Sequence, residues 1–170
     1  MSYLDQCIYL QHKYSLPTRA YFLTPTCKSK TGTKISRTSE GLIIHHLKEN
    51  YFPDLSKTEH AILQPWEYQE PQNLVYCNYI EHLILHVHIV QEYLIEGLQR
   101  QCLLGIGGIQ HIRNAIADLY VHKEYNITWL ANCYNAIAAD ESDFQYLCNL
   151  IAQNTSCQFA FNLLAQLETN

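Results

Sequence analysis

The chain has 170 residues, 48% of them apolar, and a net charge of −5, which suits one globular domain with a hydrophobic core. A charged fraction of 16% is too low for a disordered polyampholyte, and six Gly and five Pro exclude a collagen-like or low-complexity chain. The first residues lack the basic and apolar segments of a secretory signal, and no apolar stretch is long enough to cross a bilayer. We therefore expect a soluble, cytoplasmic protein.

The seven cysteines are an odd number and contain no C-x-x-C pair, which argues against a zinc ribbon and a disulfide framework. We expect reduced thiols that act as small apolar side chains.

Charge is distributed unevenly along the chain. Residues 1–40 contain six basic and two acidic side chains, whereas residues 41–170 carry a net charge of −9. Four of the bases, Lys28, Lys30, Lys34 and Arg37, lie in a segment that also carries aromatic residues, a combination that can follow a phosphate backbone. A solvated arm or strand pair explains the same pattern equally well.

The first half of the chain predicts short elements. Residues 2–14 suit a short helix with Leu4 and Ile8 on one side, and residues 28–33 suit a loop or hairpin tip. The apolar run 41–46 and the run 74–77 are typical of strands. A capping box at residues 56–59 predicts a short helix that Pro65 stops, and Asn78 is a suitable N-cap for a long helix over residues 79–103.

The second half predicts helices alone. Apolar residues recur at helical spacing, with breaks near residues 126, 140 and 154–156. The run Gly105-Ile106-Gly107-Gly108 lacks the Lys-Ser/Thr of a phosphate loop, so it predicts a turn between two helices. The overall prediction is a mostly helical α+β fold with a basic segment over 1–40, a strand–strand–helix core over 41–90 and a helical region over 91–170.

Two histidine pairs carry the chemistry. His82 and His86 are four residues apart on the long helix, so their rings lie one turn apart on one face and can chelate one metal ion. His45 and His46 are adjacent in a strand and point to opposite sides, so one can bind metal while the other has a different task. Either pair alone is usually incidental, but both together favour a function.

These residues resemble the His-Asn-His (HNH) nucleases of the ββα-metal fold. The run Gly41–Leu47 is similar to the family's first strand with its double histidine, and Gln72–Tyr76 is similar to its asparagine and second strand. Glu81–His86 is similar to the helix of the colicin-type DNases, with its His-x-x-x-His spacing. The likeness covers residues 41–90. It departs from the family in the 26 residues between His46 and Asn73 and in Ile43, where colicin-type members carry an acidic residue.

The resemblance implies an endonuclease that hydrolyses phosphodiester bonds of nucleic acid, DNA before RNA, and leaves 5′-phosphate and 3′-hydroxyl ends. It implies His46 as the general base and Asn73 as the residue that ties the loop and orients that base. His45, His82 and His86 would hold one divalent ion, for which Mg²⁺, Mn²⁺, Ni²⁺ and Zn²⁺ remain open.

Two other interpretations compete with the enzyme. The first is a non-catalytic inhibitor or adaptor on an HNH fold, binding protein or nucleic acid, with the C-terminal helices as the surface for a protein partner or a second copy. The second is a purely structural zinc site, which would require four closing ligands with His46 among them. His88 and the remaining histidines have no partner in sequence and carry no predicted role.

Overall fold

A computed structural model describes residues 1–31, 33–95, 97 and 99–168. The fold is mostly helical α+β, with one two-stranded sheet. The strands are β1 (Ile43–His46) and β2 (Leu74–Cys77). The helices are α1 (Tyr3–Tyr14), α2 (Thr33–Ser36), α3 (Thr58–Ala61), α4 (Tyr79–Ile95), α5 (Gln99–His122), α6 (Thr128–Asn135), α7 (Glu141–Gln153) and α8 (Thr155–Glu168), with short 3-10 helices at Trp66–Gln69, Pro71–Asn73 and Ala138–Asp140.

Both predicted strands and the helix start that follows them are confirmed. β1 and β2 pair antiparallel, with His45 opposite Val75. Asn78 then caps α4: its side-chain oxygen accepts from the backbone N–H of Glu81 at 2.8 Å, while Glu81 accepts from the backbone N–H of Asn78 at 2.8 Å. This reciprocal cap fixes the direction in which α4 leaves the sheet.

One continuous core joins the three segments expected from the sequence. Its buried residues run from Tyr3 and Cys7 of α1, through the strands and α4, to Ala160 of α8. On α1 the buried face is formed by Tyr3, Cys7 and Leu10, whereas Leu4 and Ile8 are 49% and 42% exposed. The prediction that the side with Leu4 and Ile8 is the apolar side of this helix was therefore wrong, because Tyr3, Cys7 and Leu10 face the core instead.

The expected turn at Gly105–Gly108 is also wrong, since these residues lie inside α5. The chain leaves α4 earlier, and Gly97 adopts a left-handed φ of +72° between the two helices. A Cβ at Gly105 would lie 2.7 Å from Cγ2 of Val90 on α4. The glycines thus allow the two helices to approach closely. From the sequence alone, the same glycines predict a break between helices.

The segment between the strands differs in detail from the prediction. Helix α3 is present, but the expected capping box is not: Lys57 is its N-cap without a side-chain bond, and Thr58 donates to the carbonyl of Cys27 at 2.7 Å. Upstream, Phe22 and Lys30 form an antiparallel bridge, so residues 21–31 make a small hairpin. The tip of this hairpin lies at residues 24–27 and not at the predicted 28–33, since Lys30 is in the bridge and Thr33 begins α2. Gly32 lies outside the described residues.

All seven cysteines are free, and all except Cys148 are buried, as expected for small apolar side chains. In the described part of the chain, no helix combines the length and apolar character needed to cross a membrane.

Candidate metal centre

Two elements bring the candidate ligands together. His45 and His46 end β1, and a turn follows in which the backbone N–H of Glu49 donates to the carbonyl of His46 at 2.9 Å. This turn folds the carboxylate of Glu49 back onto the end of the strand. His82 and His86 project from the first two turns of α4 toward the same point.

Four potential metal-ligand atoms, called donor atoms below, converge at this point. Nδ1 of His45 lies 3.0 Å from Nε2 of His82 and 3.0 Å from Oε2 of Glu49, and Nε2 of His82 lies 3.3 Å from Nε2 of His86. One ligand atom from each of the four residues lies within 4.8 Å of the other three. A tetrahedral zinc ion with bonds of about 2.0–2.1 Å separates its ligands by about 3.3–3.4 Å. The three shortest separations are close to that value, so the four residues fit one divalent ion.

Tyr3 fixes which nitrogen of His45 faces this point. Its hydroxyl lies 3.0 Å from the carbonyl of Leu47, which can only accept, and 2.7 Å from Nε2 of His45. Burial raises the pKa of Tyr3 well above its usual value, so the hydroxyl keeps its proton and donates it to Leu47. Nε2 of His45 then donates to the tyrosine oxygen, and the lone pair of Nδ1 is directed at the other ligands.

The electrostatics favour the forms that bind a cation. Burial lowers the pKa of His82 and His86, that of His86 to about 3, and any positive charge on His45 would lower it further, so both rings stay neutral. Burial alone would raise the pKa of Glu49, but a protonated His45 or His46 ring, through its hydrogen bond and charge, holds that pKa well below its usual range. Neutral imidazoles and an ionised carboxylate are the required ligand states.

The cluster also contains polar atoms that the protein leaves uncompensated. His45 is fully buried, His82 and His86 are 8% and 7% exposed, and Nδ1 of each of the last two has no hydrogen-bond partner among the described residues. Burying unpaired polar groups costs about 1–3 kcal/mol each. Nε2 of both rings, and not Nδ1, faces the other ligands, so a cation at the cluster would leave this cost in place.

His46 lies outside the donor cluster. Its Nε2 is 3.0 Å from Oε1 of Gln69, whose own NH₂ group donates to the carbonyl of Leu55 at 3.2 Å. The amide orientation assigned from this network makes Oε1 the acceptor, so His46 donates from Nε2 and carries its lone pair on Nδ1. That atom is buried, makes no hydrogen bond within the described residues, and lies 3.6 Å from Oε1 of Glu49.

Asn73 holds the loop that carries Gln69. Its side-chain NH₂ donates to the carbonyl of Glu67 at 2.8 Å, and its own carbonyl accepts from the backbone N–H of Leu47 at 2.9 Å. The side chain therefore closes the loop 67–73, and the backbone joins that loop to the end of β1. Gln69, rather than Asn73, makes the side-chain hydrogen bond to His46.

Helix α5 packs against the ring of His86 at Gly108. A Cβ at this position would overlap the ring of His86, at Nδ1 and Cε1. The glycine leaves room for that imidazole between two helices that pack against each other. The ring of His86 is thus held between α4 and the backbone of α5.

A cavity of about 710 Å³ opens onto the cluster. Glu49, His82 and His86 form part of its lining, together with Arg37 and Trp129. Its volume lies within the range of about 300–1,000 Å³ typical of small-molecule sites. A ligand in this cavity would therefore reach three of the four candidate metal ligands.

Sequence reasoning missed Glu49, Gln69 and Tyr3. The pattern His45-x-x-x-Glu49 directly after a strand was a usable signal for Glu49, because a tight turn returns the fourth residue to the strand end. Gln69 and Tyr3 reach the site only through tertiary contacts. No motif in the sequence marks either of them.

In comparisons with known proteins, no family model, no curated protein and no solved structure matched the chain.

Proposed function

We propose that this chain is a metal-dependent phosphodiesterase that cleaves nucleic acid. The observation that carries the proposal is the buried four-donor cluster at the wall of a cavity, with His46 beside it but outside the donor set. A buried site built only to bind an ion has no need of a second oriented imidazole next to it. DNA is the first substrate to test, because the HNH resemblance points to it.

His45, Glu49, His82 and His86 would hold the ion. A divalent ion bound there supplies Lewis-acid stabilisation of the charge that develops on the phosphate during hydrolysis. Three imidazoles and one carboxylate suit zinc, nickel and manganese better than magnesium, which prefers oxygen ligands.

His46 is the proposed general base. Nε2 keeps its proton and donates it to Gln69, so the lone pair on Nδ1 would take the proton of the attacking water. Because that atom is buried, the water would have to reach it beside Glu49. The ring becomes cationic when it takes that proton. Oε1 of Glu49, 3.6 Å from Nδ1, would then stabilise the charge.

The test is an activity assay with a matched histidine control. Wild-type protein is incubated with plasmid, single-stranded DNA and RNA in Mg²⁺, Mn²⁺, Ni²⁺ or Zn²⁺, with a chelator in parallel. We expect metal-dependent cleavage that His46→Ala reduces by about 10²–10⁴-fold and that His12→Ala, an exposed change on α1, leaves intact. Equal activity of the two variants would exclude His46 as the general base. Cleavage that persists in chelator would show that the reaction does not depend on a metal ion.

A structural zinc site is the second candidate, favoured by the fourth donor, Glu49. This differs from the set expected for such a site from sequence, since His46 is not among the four. The two candidates separate in one comparison: a structural site predicts that zinc raises the melting temperature and that no substrate is cleaved. A nuclease predicts both a higher melting temperature with zinc and cleavage of the substrate. An ion that binds without cleavage would also leave the non-catalytic binding module standing.

A further inference from the structure

Arg37 and Trp129 form a pair on the wall of the same cavity. The guanidinium carbon of Arg37 lies 4.3 Å from the ring centroid of Trp129, so the planar cation covers the face of the indole. Both residues line the cavity whose wall also includes Glu49, His82 and His86. A cation therefore stands in the space from which the proposed metal centre is reached.

The backbone around this pair is built for close contact. The turn after Arg37 is closed by the hydroxyl of Thr38, which accepts from the backbone N–H of Leu42 at 3.0 Å. Gly41 in that turn has a left-handed φ of +76°, and a Cβ there would overlap the carbonyl of Asn132 on α6. The turn thus docks directly on the helix that carries Trp129, and this holds the arginine over the indole.

Arg37 differs from Lys57, the other described Lys or Arg on the wall of the cavity, in having no acidic partner. Lys57, also on the cavity wall, pairs with Asp54 at 2.9 Å, and Lys13 pairs with Glu81 at 2.6 Å. Among the described residues, Arg37 forms no ion pair with a carboxylate. Its N–H groups therefore remain available to an external anion.

The structure also separates the four bases singled out from the sequence. Lys28 and Lys30 are exposed, and Lys30 lies over Tyr21 at 5.2 Å from the ring centroid. The side chain of Lys34 lies outside the described residues. Of the described members of this set, only Arg37 lines the cavity.

We infer that Arg37, held flat on Trp129, is a subsite for a second phosphate of a nucleic-acid strand, next to the one at the metal centre. The inference rests on the phosphodiesterase proposed above, since the cavity wall joins the two sites. A guanidinium with its face covered presents its N–H edge as a rigid fork, and that fork matches two phosphate oxygens. A lysine at the same position would keep the charge but lose the fork and the stacking.

Equilibrium binding of a short fluorescein-labelled oligothymidylate, measured in EDTA over a range of salt concentrations, tests the subsite without turnover. We expect Arg37→Gln to weaken binding about tenfold or more and to flatten the slope of log K against log salt by about 0.7, the value for one lost contact on a single strand. Arg37→Lys should keep the slope but bind about threefold more weakly, because the charge is kept while the fork and the stacking are lost.

Arg19→Gln is the matched control, because it removes the same charge from an exposed residue outside the cavity wall. Its affinity and salt slope should equal those of the wild type. The subsite is overturned if the wild type fails to bind, if Arg19→Gln and Arg37→Gln have equal effects, or if Arg37→Lys binds as well as wild type. Loss of cleavage in every metal with these binding results intact would instead count against the proposed function alone.

Discussion

The hydroxyl of Tyr3 and Nε2 of His45 lie 2.7 Å apart, which joins the first helix to the candidate metal centre. The contact determines the tautomer of His45, and therefore which ring nitrogen faces the other ligands. The helix is held in place at its start, where the backbone N–H of Tyr3 donates to Oε2 of Glu92 on α4 at 2.8 Å. Helix α1, which belongs to the basic segment 1–40, thus supplies part of the site.

Removing the hydroxyl of Tyr3 should weaken metal binding more than it weakens the fold. In Tyr3→Phe, Nε2 of His45 loses its acceptor, so the tautomer with the lone pair on Nδ1 is no longer favoured. Loss of such a supporting hydrogen bond typically costs about 10–100-fold in metal affinity. Calorimetric titration with Zn²⁺ measures the affinity, and chemical unfolding in EDTA measures the stability of the fold.

Tyr120→Phe is the control for that variant. Its hydroxyl is also buried and donates to a backbone carbonyl, that of Ile137 at 2.7 Å, but lies outside the metal cluster. Both variants should lose about 1 kcal/mol of stability in EDTA. An unchanged zinc affinity in Tyr3→Phe would show that Tyr3 only packs in the core.

Two neighbouring glycines of α5 should respond in opposite directions to alanine. Gly107→Ala should stabilise the protein by about 0.5–1 kcal/mol, because alanine is the better helix former and its Cβ would have no described atom within 4 Å. Gly108→Ala should destabilise it, since overpacking costs about 1–3 kcal/mol and the added methyl group overlaps the ring of His86.

Thermal unfolding in EDTA compares the two glycine variants directly. Zinc titration should then show that Gly108→Ala alone binds the ion more weakly, because His86 must move. Equal stabilisation by both substitutions would mean that α5 does not approach α4 as closely as described.

Gln69 should act on catalysis and not on metal binding. In Gln69→Met the volume of the side chain is kept, but Nε2 of His46 loses its acceptor and the lone pair is no longer confined to Nδ1. We expect kcat to fall about 10–100-fold while zinc affinity stays at the wild-type value.

Gln69→Glu separates positioning of the base from simple packing. A carboxylate at this position still accepts from Nε2 and stabilises the cationic ring that forms when His46 takes a proton. The acidic limb of the pH–rate profile should therefore move to higher pH, with more activity retained than in Gln69→Met. A profile that does not move in Gln69→Glu would place Gln69 outside the reaction.

The strands and the histidine pairs were predictable because their signals are local. An apolar run ending in His45-His46 and the Asn78–Glu81 cap each lie within a few residues, and both elements form where the sequence indicates. The convergence of His82 and His86 on His45 follows from the order of strand and helix.

The remaining parts depend on contacts between distant segments. Gly105 and Gly108 look like helix breakers until α4 is placed against them, at which point a missing side chain becomes a packing requirement. Gln69 reaches His46 because a pair of 3-10 helices folds residues 66–73 back under the strand. No periodicity in the sequence encodes either relationship.

The central claim is that four side chains hold one divalent ion, and calorimetric titration of the apo protein with Zn²⁺ tests it most directly. Wild type should bind one ion. His82→Ala should bind it at least about 100-fold more weakly, because one ligand is lost. His88→Ala, a change on the same helix outside the donor cluster, should match wild type. If wild type binds no ion, or if the two variants bind equally well, the convergence of these histidines is core packing and the metal centre is contradicted.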